Sequence, residues 1–180
     1  MTRPILFLDL DDVICINAPY GGYDVFAPSR PDDLWERLFH EPAVEVLLKI
    51  LEDHRPYVVL TTSWLRLMDR DGFEQMFART GLSAVTASLH PTAWEARQGS
   101  GETRLEAIQG WLAVHHSQEP FVVLDDALSG TGLIGSSMQE AGAVVLCELN
   151  VGLTADHVSK VNRALTGEDG LHRSRCEADD

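Results

Sequence analysis

Ile5-Leu6-Phe7-Leu8-Asp9-Leu10-Asp11-Asp12-Val13 is the stretch from which the fold can be read. Four apolar residues run directly into acids. A short, unbroken apolar run suits a strand covered on both faces, as in a parallel sheet. The acids then fall where that strand ends, and open parallel sheets bind ligands beyond the carboxyl ends of their strands. Carboxylates this crowded repel one another unless protons or a cation intervene. Hard oxygen donors point to a divalent cation such as Mg²⁺. An EF-hand loop is excluded, because the fifth and sixth places from Asp9 hold Val13 and Ile14 where that loop needs an oxygen ligand and a glycine.

The same apolar signal recurs downstream. Tyr57-Val58-Val59-Leu60 leads to Thr61-Thr62-Ser63-Trp64, Phe121-Val122-Val123-Leu124 leads to Asp125-Asp126, and Ala143-Val144-Val145-Leu146-Cys147 follows. Residues 82–88 form a weaker candidate strand. Helical spacing separates the strands. Val44, Leu47, Leu48 and Leu51 predict a helix over 41–53, with Pro42 in its first turn. Helices are likewise expected over 33–39, 69–80, 103–115, 136–141 and 155–165, the last capped by Thr154. Alternating strands and helices imply an α/β, doubly wound, three-layer sandwich with a parallel sheet of about five strands. One domain is expected over residues 1–166, followed by a charged, disordered tail over 167–180.

Residues 12–42 are too long for a plain connection. They interleave Tyr20, Tyr23, Phe26 and Trp35 with glycines and prolines, and read as a small flap over the acid cluster. Two uses of these aromatics stand open: a substrate wall, or packing of the loop onto the body.

Composition narrows the function. Hydrophobic residues make up 44% and charged residues 23%, a soluble globular mix without a membrane span or leader signal, and a cytoplasmic location is expected. The net charge of −14 disfavours an extended nucleic-acid footprint but leaves room for a pocket that takes one phosphate. The three cysteines, Cys15, Cys147 and Cys176, have neither zinc-site nor disulfide spacing. Cys15 lies near the acids and is a candidate nucleophile, although a buried thiol is the simpler reading.

Phosphoryl transfer through a carboxylate needs a nucleophile, a proton carrier, a metal, a cation and a hydroxyl that orients a phosphate oxygen. Asp9, Asp11, Asp125, Asp126, Arg104 and Thr62 supply residue types for all five parts. In "ILFLDLDDV", "VVLTTSW", "ETRLEAI" and "FVVLDD", taken in order, the sequence resembles the haloacid-dehalogenase-like (HAD) phosphohydrolases. More narrowly, "TSW" and "AIQGWL…PFVVLDD" resemble HAD domains associated with RNA-repair proteins.

The resemblance implies a nucleophile at Asp9 and an acid–base at Asp11. It implies a phosphate-orienting hydroxyl at Thr62, with Thr61 as a rival. A stabilising cation falls at Arg104, with Arg97 as a rival. Mg²⁺ would be held by Asp9, Asp125, Asp126 and the backbone carbonyl of Asp11. Ser63 and Trp64 become candidate substrate contacts, with Trp64 equally a core residue. Asp12 stands where glycine is usual and is expected to add negative charge.

A receiver domain is disfavoured, since no acid follows the third candidate strand. A dehalogenase would not need Asp11 or the Asp125-Asp126 pair. The expected activity is phosphomonoester hydrolysis. Its substrate would be a nucleotide, another small phosphoester, a phosphoprotein or a nucleic-acid end. The alternative is a phosphate-binding or regulatory module with little turnover.

Overall fold

The computed structural model describes residues 2–167. Chain order gives β1 (Ile5–Leu8), α1 (Gly22–Phe26), α2 (Leu34–Arg37), α3 (Glu41–His54) and β2 (Tyr57–Leu60). A 3₁₀ turn, Ser63–Arg66, then precedes α4 (Arg70–Arg79), α5 (Ser83–Ser88), α6 (Arg104–His115) and β3 (Phe121–Asp126). The chain continues with α7 (Ser137–Glu140), β4 (Val144–Cys147) and, after a second 3₁₀ turn, α8 (Val158–Thr166). The disordered tail expected over 167–180 lies, apart from Gly167, outside the described residues.

The four strands form one parallel sheet in the order β2-β1-β3-β4. Ile5 stands opposite Tyr57 and Phe121, and Leu8 opposite Leu60 and Leu124, so β1, β2 and β3 share one register. That register places Asp9, Thr61 and Asp125 at a common edge. Alternate residues divide into two cores, because side chains along a strand point to opposite faces. Leu6, Leu8, Val58, Leu60, Val122 and Leu124 join Leu47, Ile50, Phe73 and Val161. Ile5, Phe7, Val59 and Val123 join Ile108 and Trp111 of α6. Phe7 meets the Trp111 ring edge-on at 5.2 Å. Each fully buried side chain of this kind contributes about 1.5–3 kcal/mol.

The sheet has four strands rather than about five. Residues 83–88 are helical because Leu82, Val85 and Leu89 are spaced three and four apart, a helix period that buries all three on one side. The edge of β2 is instead met by isolated bridges. His90 donates its amide to the Val58 carbonyl at 2.9 Å, and Ala96 to that of Leu60 at 2.8 Å. Pro91 sits between them and has no amide to donate, which keeps the pairing discontinuous. No helix among the described residues is long and apolar enough to cross a membrane.

Candidate active site

Two strand ends and one helix start build the centre. Asp9 follows β1 and Asp125-Asp126 close β3, and one carboxylate oxygen from each of the three lies within 4.8 Å of the others. All three are buried, as is Arg104, only 1% exposed at the first position of α6. The capping box of Thr103 and Glu106 starts that helix, and the Arg104 amide donates to Thr131 Oγ1 at 2.9 Å. The Arg104 guanidinium thereby faces the acids, with Nε 2.9 Å from Asp125 Oδ2 and Nη2 3.4 Å from Asp9 Oδ1.

Charge in this centre is unbalanced. Three carboxylates face one guanidinium, and burial without compensation is costly. Asp9 Oδ1, Asp125 Oδ2 and Arg104 Nε and Nη1 make no directed hydrogen bond, so the ion pairs are close contacts with polar capacity left over. Burial pushes Asp125 up to about 8, with the charge of Asp9 adding to the effect. Burial also raises Asp9, against the opposing pull of Arg104. A divalent cation would relieve the same strain. The hard, all-oxygen donor set and its orphaned oxygens fit Mg²⁺.

Ser129 is a member of the centre that the sequence reading missed. Its Oγ lies 2.9 Å from Asp9 Oδ2 and 3.1 Å from Asp125 Oδ1, and also contacts Asp126 Oδ2. One hydroxyl proton cannot serve three acceptors. The turn is pinned by Asp126 Oδ1, which accepts the amides of Leu128 at 2.6 Å and Ser129 at 3.0 Å. A Cβ on Gly130 would sit 2.5 Å from the Asp126 carbonyl oxygen, so the turn needs glycine there. The available signal was a serine and a glycine directly after Asp-Asp-x-x, enough to close the loop back onto its own acids.

Asp11 stands beside this group, not in it. Its carboxylate is not one of the three that converge, and Trp64 Nε1 donates to its Oδ2 at 2.8 Å. Burial, and then the charge of Asp9, push Asp11 up to about 6, while the indole bond opposes them. Trp64 is 2% exposed. Phe26 and Phe39 pack against its ring, and a Cβ on Gly22 would approach its Nε1 to 2.6 Å. Trp64 is thus a core residue that also lines the cavity.

Thr62 Oγ1 accepts the Trp64 amide at 3.3 Å and starts the 3₁₀ turn, while the buried Thr61 hydroxyl has no partner among the described residues. Ser63 is exposed on the cavity. The two rival arginines differ in position: Arg97 is exposed and pairs with Glu95 at 2.9 Å, whereas Arg104 is buried and reaches Asp9. Asp12 adds negative charge beside the centre: after burial and the charge of Asp9, its charge is a lesser contribution pushing Asp11 up. It takes a left-handed φ of 52°, a conformation Asp tolerates, and its Oδ1 accepts the Asn150 amide at 2.6 Å. Cys15 is a buried thiol, and burial pushes it up to about 12, which fits the simpler reading of it.

Residues 5–158 match the family described as the HAD domain in Swiss Army Knife RNA repair proteins. The chain belongs to this HAD family. Comparison with curated proteins and with solved structures gave no match. The family is of phosphohydrolase type, and the buried carboxylates of this HAD domain have the donors of a metal centre.

The HAD domain opens to solvent through a cavity of about 660 Å³. Asp11, Asp126 and Ser129 line it together with Trp64, Leu67 and, from the flap, Tyr23, Phe26 and Pro28. Asp9, 1% exposed, lies behind Ser129. The flap is ordered by its own contacts. Tyr20 donates its hydroxyl to Asp33 at 2.5 Å, and Tyr20, Phe26, Trp35 and Phe39 pack on the core. Tyr23 alone of the flap aromatics points outward, 92% exposed at the cavity mouth.

Proposed function

We propose that this HAD domain is a Mg²⁺-dependent phosphomonoester hydrolase that works through an aspartyl-phosphate on Asp9. The convergence of Asp9, Asp125, Asp126 and Arg104 in one buried centre, with Asp11 beside it, is the observation that supports this reading. An Asp9 carboxylate oxygen attacks phosphorus, and the bond from phosphorus to the ester oxygen breaks. The departing oxygen takes the proton of Asp11, whose raised pKa of about 6 lets it hold one near neutrality. Asp11, now ionised, removes a proton from water. The resulting hydroxide attacks phosphorus, the phosphorus bond to Asp9 breaks, and phosphate leaves with the Asp9 carboxylate restored.

Arg104 offsets charge on the transferring group and holds Asp9 in place. The Thr62 hydroxyl, which accepts one bond and keeps its proton free, orients a phosphoryl oxygen. Asp9, Asp125, Asp126 and the Asp11 carbonyl would hold Mg²⁺, which when bound neutralises negative charge on the phosphoryl oxygens.

The family description favours a nucleotide or a nucleic-acid end as the substrate. The burial of Asp9 behind Ser129 is the one feature that favours the alternative, a phosphate-binding module with little turnover. Hydrolysis of p-nitrophenyl phosphate with and without Mg²⁺, by the native chain and Asp9→Asn, decides between them. The hydrolase reading expects Mg²⁺-dependent turnover that vanishes in the variant. Turnover unchanged by Asp9→Asn would end the mechanism.

A further inference from the structure

A second groove adjoins the catalytic cavity, and its chemistry is opposite. Phe26 and Leu67 line both. Among the described residues, Asp11, Asp12 and Asp126 are the charged lining of the cavity, and no cationic side chain lines it. Beyond Phe26 and Leu67, the charged lining of the groove is Arg30, Arg66 and Arg97 with a single acid, Asp69. It continues past Arg30, Met68 and Gly72 into a depression that adds Arg79. Four of the chain's 14 basic residues thus follow one path, on a protein with 28 acids.

An excess of acids makes paired arginines the ordinary outcome, and Arg37, Arg70, Arg97 and Arg104 are paired. Among the described residues, Arg30, Arg66 and Arg79 pair with no carboxylate. Arg30 and Arg79 instead hold the same aromatic ring, 5.7 Å and 5.4 Å from the centre of Trp35. That clasp orients both guanidiniums without neutralising them. Two carboxylates lie at the groove, Asp69 in its lining and Glu95 on Arg97, and neither pairs with Arg30, Arg66 or Arg79. Asp69 Oδ1 accepts the Gly72 amide at 2.9 Å as the cap of α4, and Glu95 pairs with Arg97.

We propose that this groove binds the backbone of a single-stranded nucleic acid whose terminal phosphate sits in the catalytic cavity. Unpaired, outward guanidiniums in a row match successive phosphates, and bidentate donation suits each one. The exposed Tyr23 ring at the cavity mouth offers a face for the terminal base. The footprint is short, two or three phosphates beyond the end at about one per arginine, which keeps it compatible with the acidic remainder of the surface. The inference rests on the hydrolase reading only for where the strand terminates.

The test compares binding with turnover. Fluorescence anisotropy would follow a labelled, end-phosphorylated pentaribonucleotide and a labelled nucleoside monophosphate, with Mg²⁺, on full-length Asp9→Asn so that neither is consumed. The same measurement would be made with R30S and R66S added. The groove predicts that the pentamer binds the parent more tightly than the monophosphate does. It predicts that the two serines weaken the pentamer about tenfold or more and lower its salt slope by roughly 0.7 per arginine. Binding of the monophosphate should stay within about twofold.

Equal pentamer affinity with and without the serines, or a pentamer that binds no better than the monophosphate, would overturn the groove. Hydrolysis of p-nitrophenyl phosphate by R30S/R66S in the Asp9-intact chain, expected unchanged, is read separately. Failure of all hydrolysis would count against the hydrolase reading, while the binding comparison would still decide the groove.

Discussion

Arg104 and Arg66 carry the same guanidinium in opposite settings. Arg104 is buried against Asp9 and Asp125, while Arg66 stands exposed in a groove with no acid paired to it among the described residues. In the buried centre every charge depends on the others, and removing one leaves the rest uncompensated. In the groove each charge is solvated and contributes separately. The first arrangement suits chemistry on one phosphoryl group, and the second suits counting phosphates along a chain. The contrast is testable, because substitutions in the centre should have large, coupled effects and those in the groove small, additive ones.

The largest expected effect is Asp9→Asn, which should lower kcat by at least about 10⁴-fold while the far-ultraviolet circular dichroism stays native. Substantial residual turnover would move the nucleophile elsewhere. Arg104→Met should destabilise the fold by about 3–5 kcal/mol in urea, since Asp9 and Asp125 would lose the one cation paired with them among the described residues. A change within about 0.5 kcal/mol would show that the centre is less tightly coupled than its burial implies.

Acidity gives the next test. The folded protein holds Asp125 at about 8 against an ordinary 3.8, so its protonated form is favoured by folding. In the metal-free protein, the stability this group contributes is complete below pH 3.8 and is lost as pH rises through about 8. A cation that displaces the proton reverses that loss. Mg²⁺ should therefore raise Tm more at about pH 8 than at about pH 5 in a thermal melt. An equal shift at both would separate the cation from this cluster.

Trp64→Phe removes the donor to Asp11 and keeps an aromatic ring. It should slow hydrolysis of an alkyl phosphate about tenfold and that of p-nitrophenyl phosphate less, because the latter's leaving group needs little protonation. Equal losses on both would reduce Trp64 to a packing residue. Arg97→Ser is expected to be the mildest, within about 0.5 kcal/mol in stability, since its partnership with Glu95 is exposed.

The acids and Arg104 were legible because they sit at fixed offsets from strand and helix starts. The pattern that places Ile5–Leu8 and Phe121–Asp126 side by side also brings Asp9 and Asp125 together. The third strand was misread because an apolar segment as short as residues 82–88 fits either period, and the spacing of Leu82, Val85 and Leu89 is helical. Ser129 escaped notice because it arrives through a turn, where tertiary contacts and not periodicity set the path. The Trp64 bond to Asp11 crosses 53 positions, and a composition-wide charge of −14 hides a local run of arginines. Arg97, the rival cation to Arg104, lines the groove.

The most direct test of the central claim is to trap the intermediate. Asp11→Asn, mixed with Mg²⁺ and p-nitrophenyl phosphate and quenched in acid, should retain a phosphoryl group, because the ester needs little acid to leave and no base remains to activate water. Peptide mass spectrometry should place that group on Asp9. A phosphoryl group on any other residue, or none at all while the native chain hydrolyses the ester, would contradict the account.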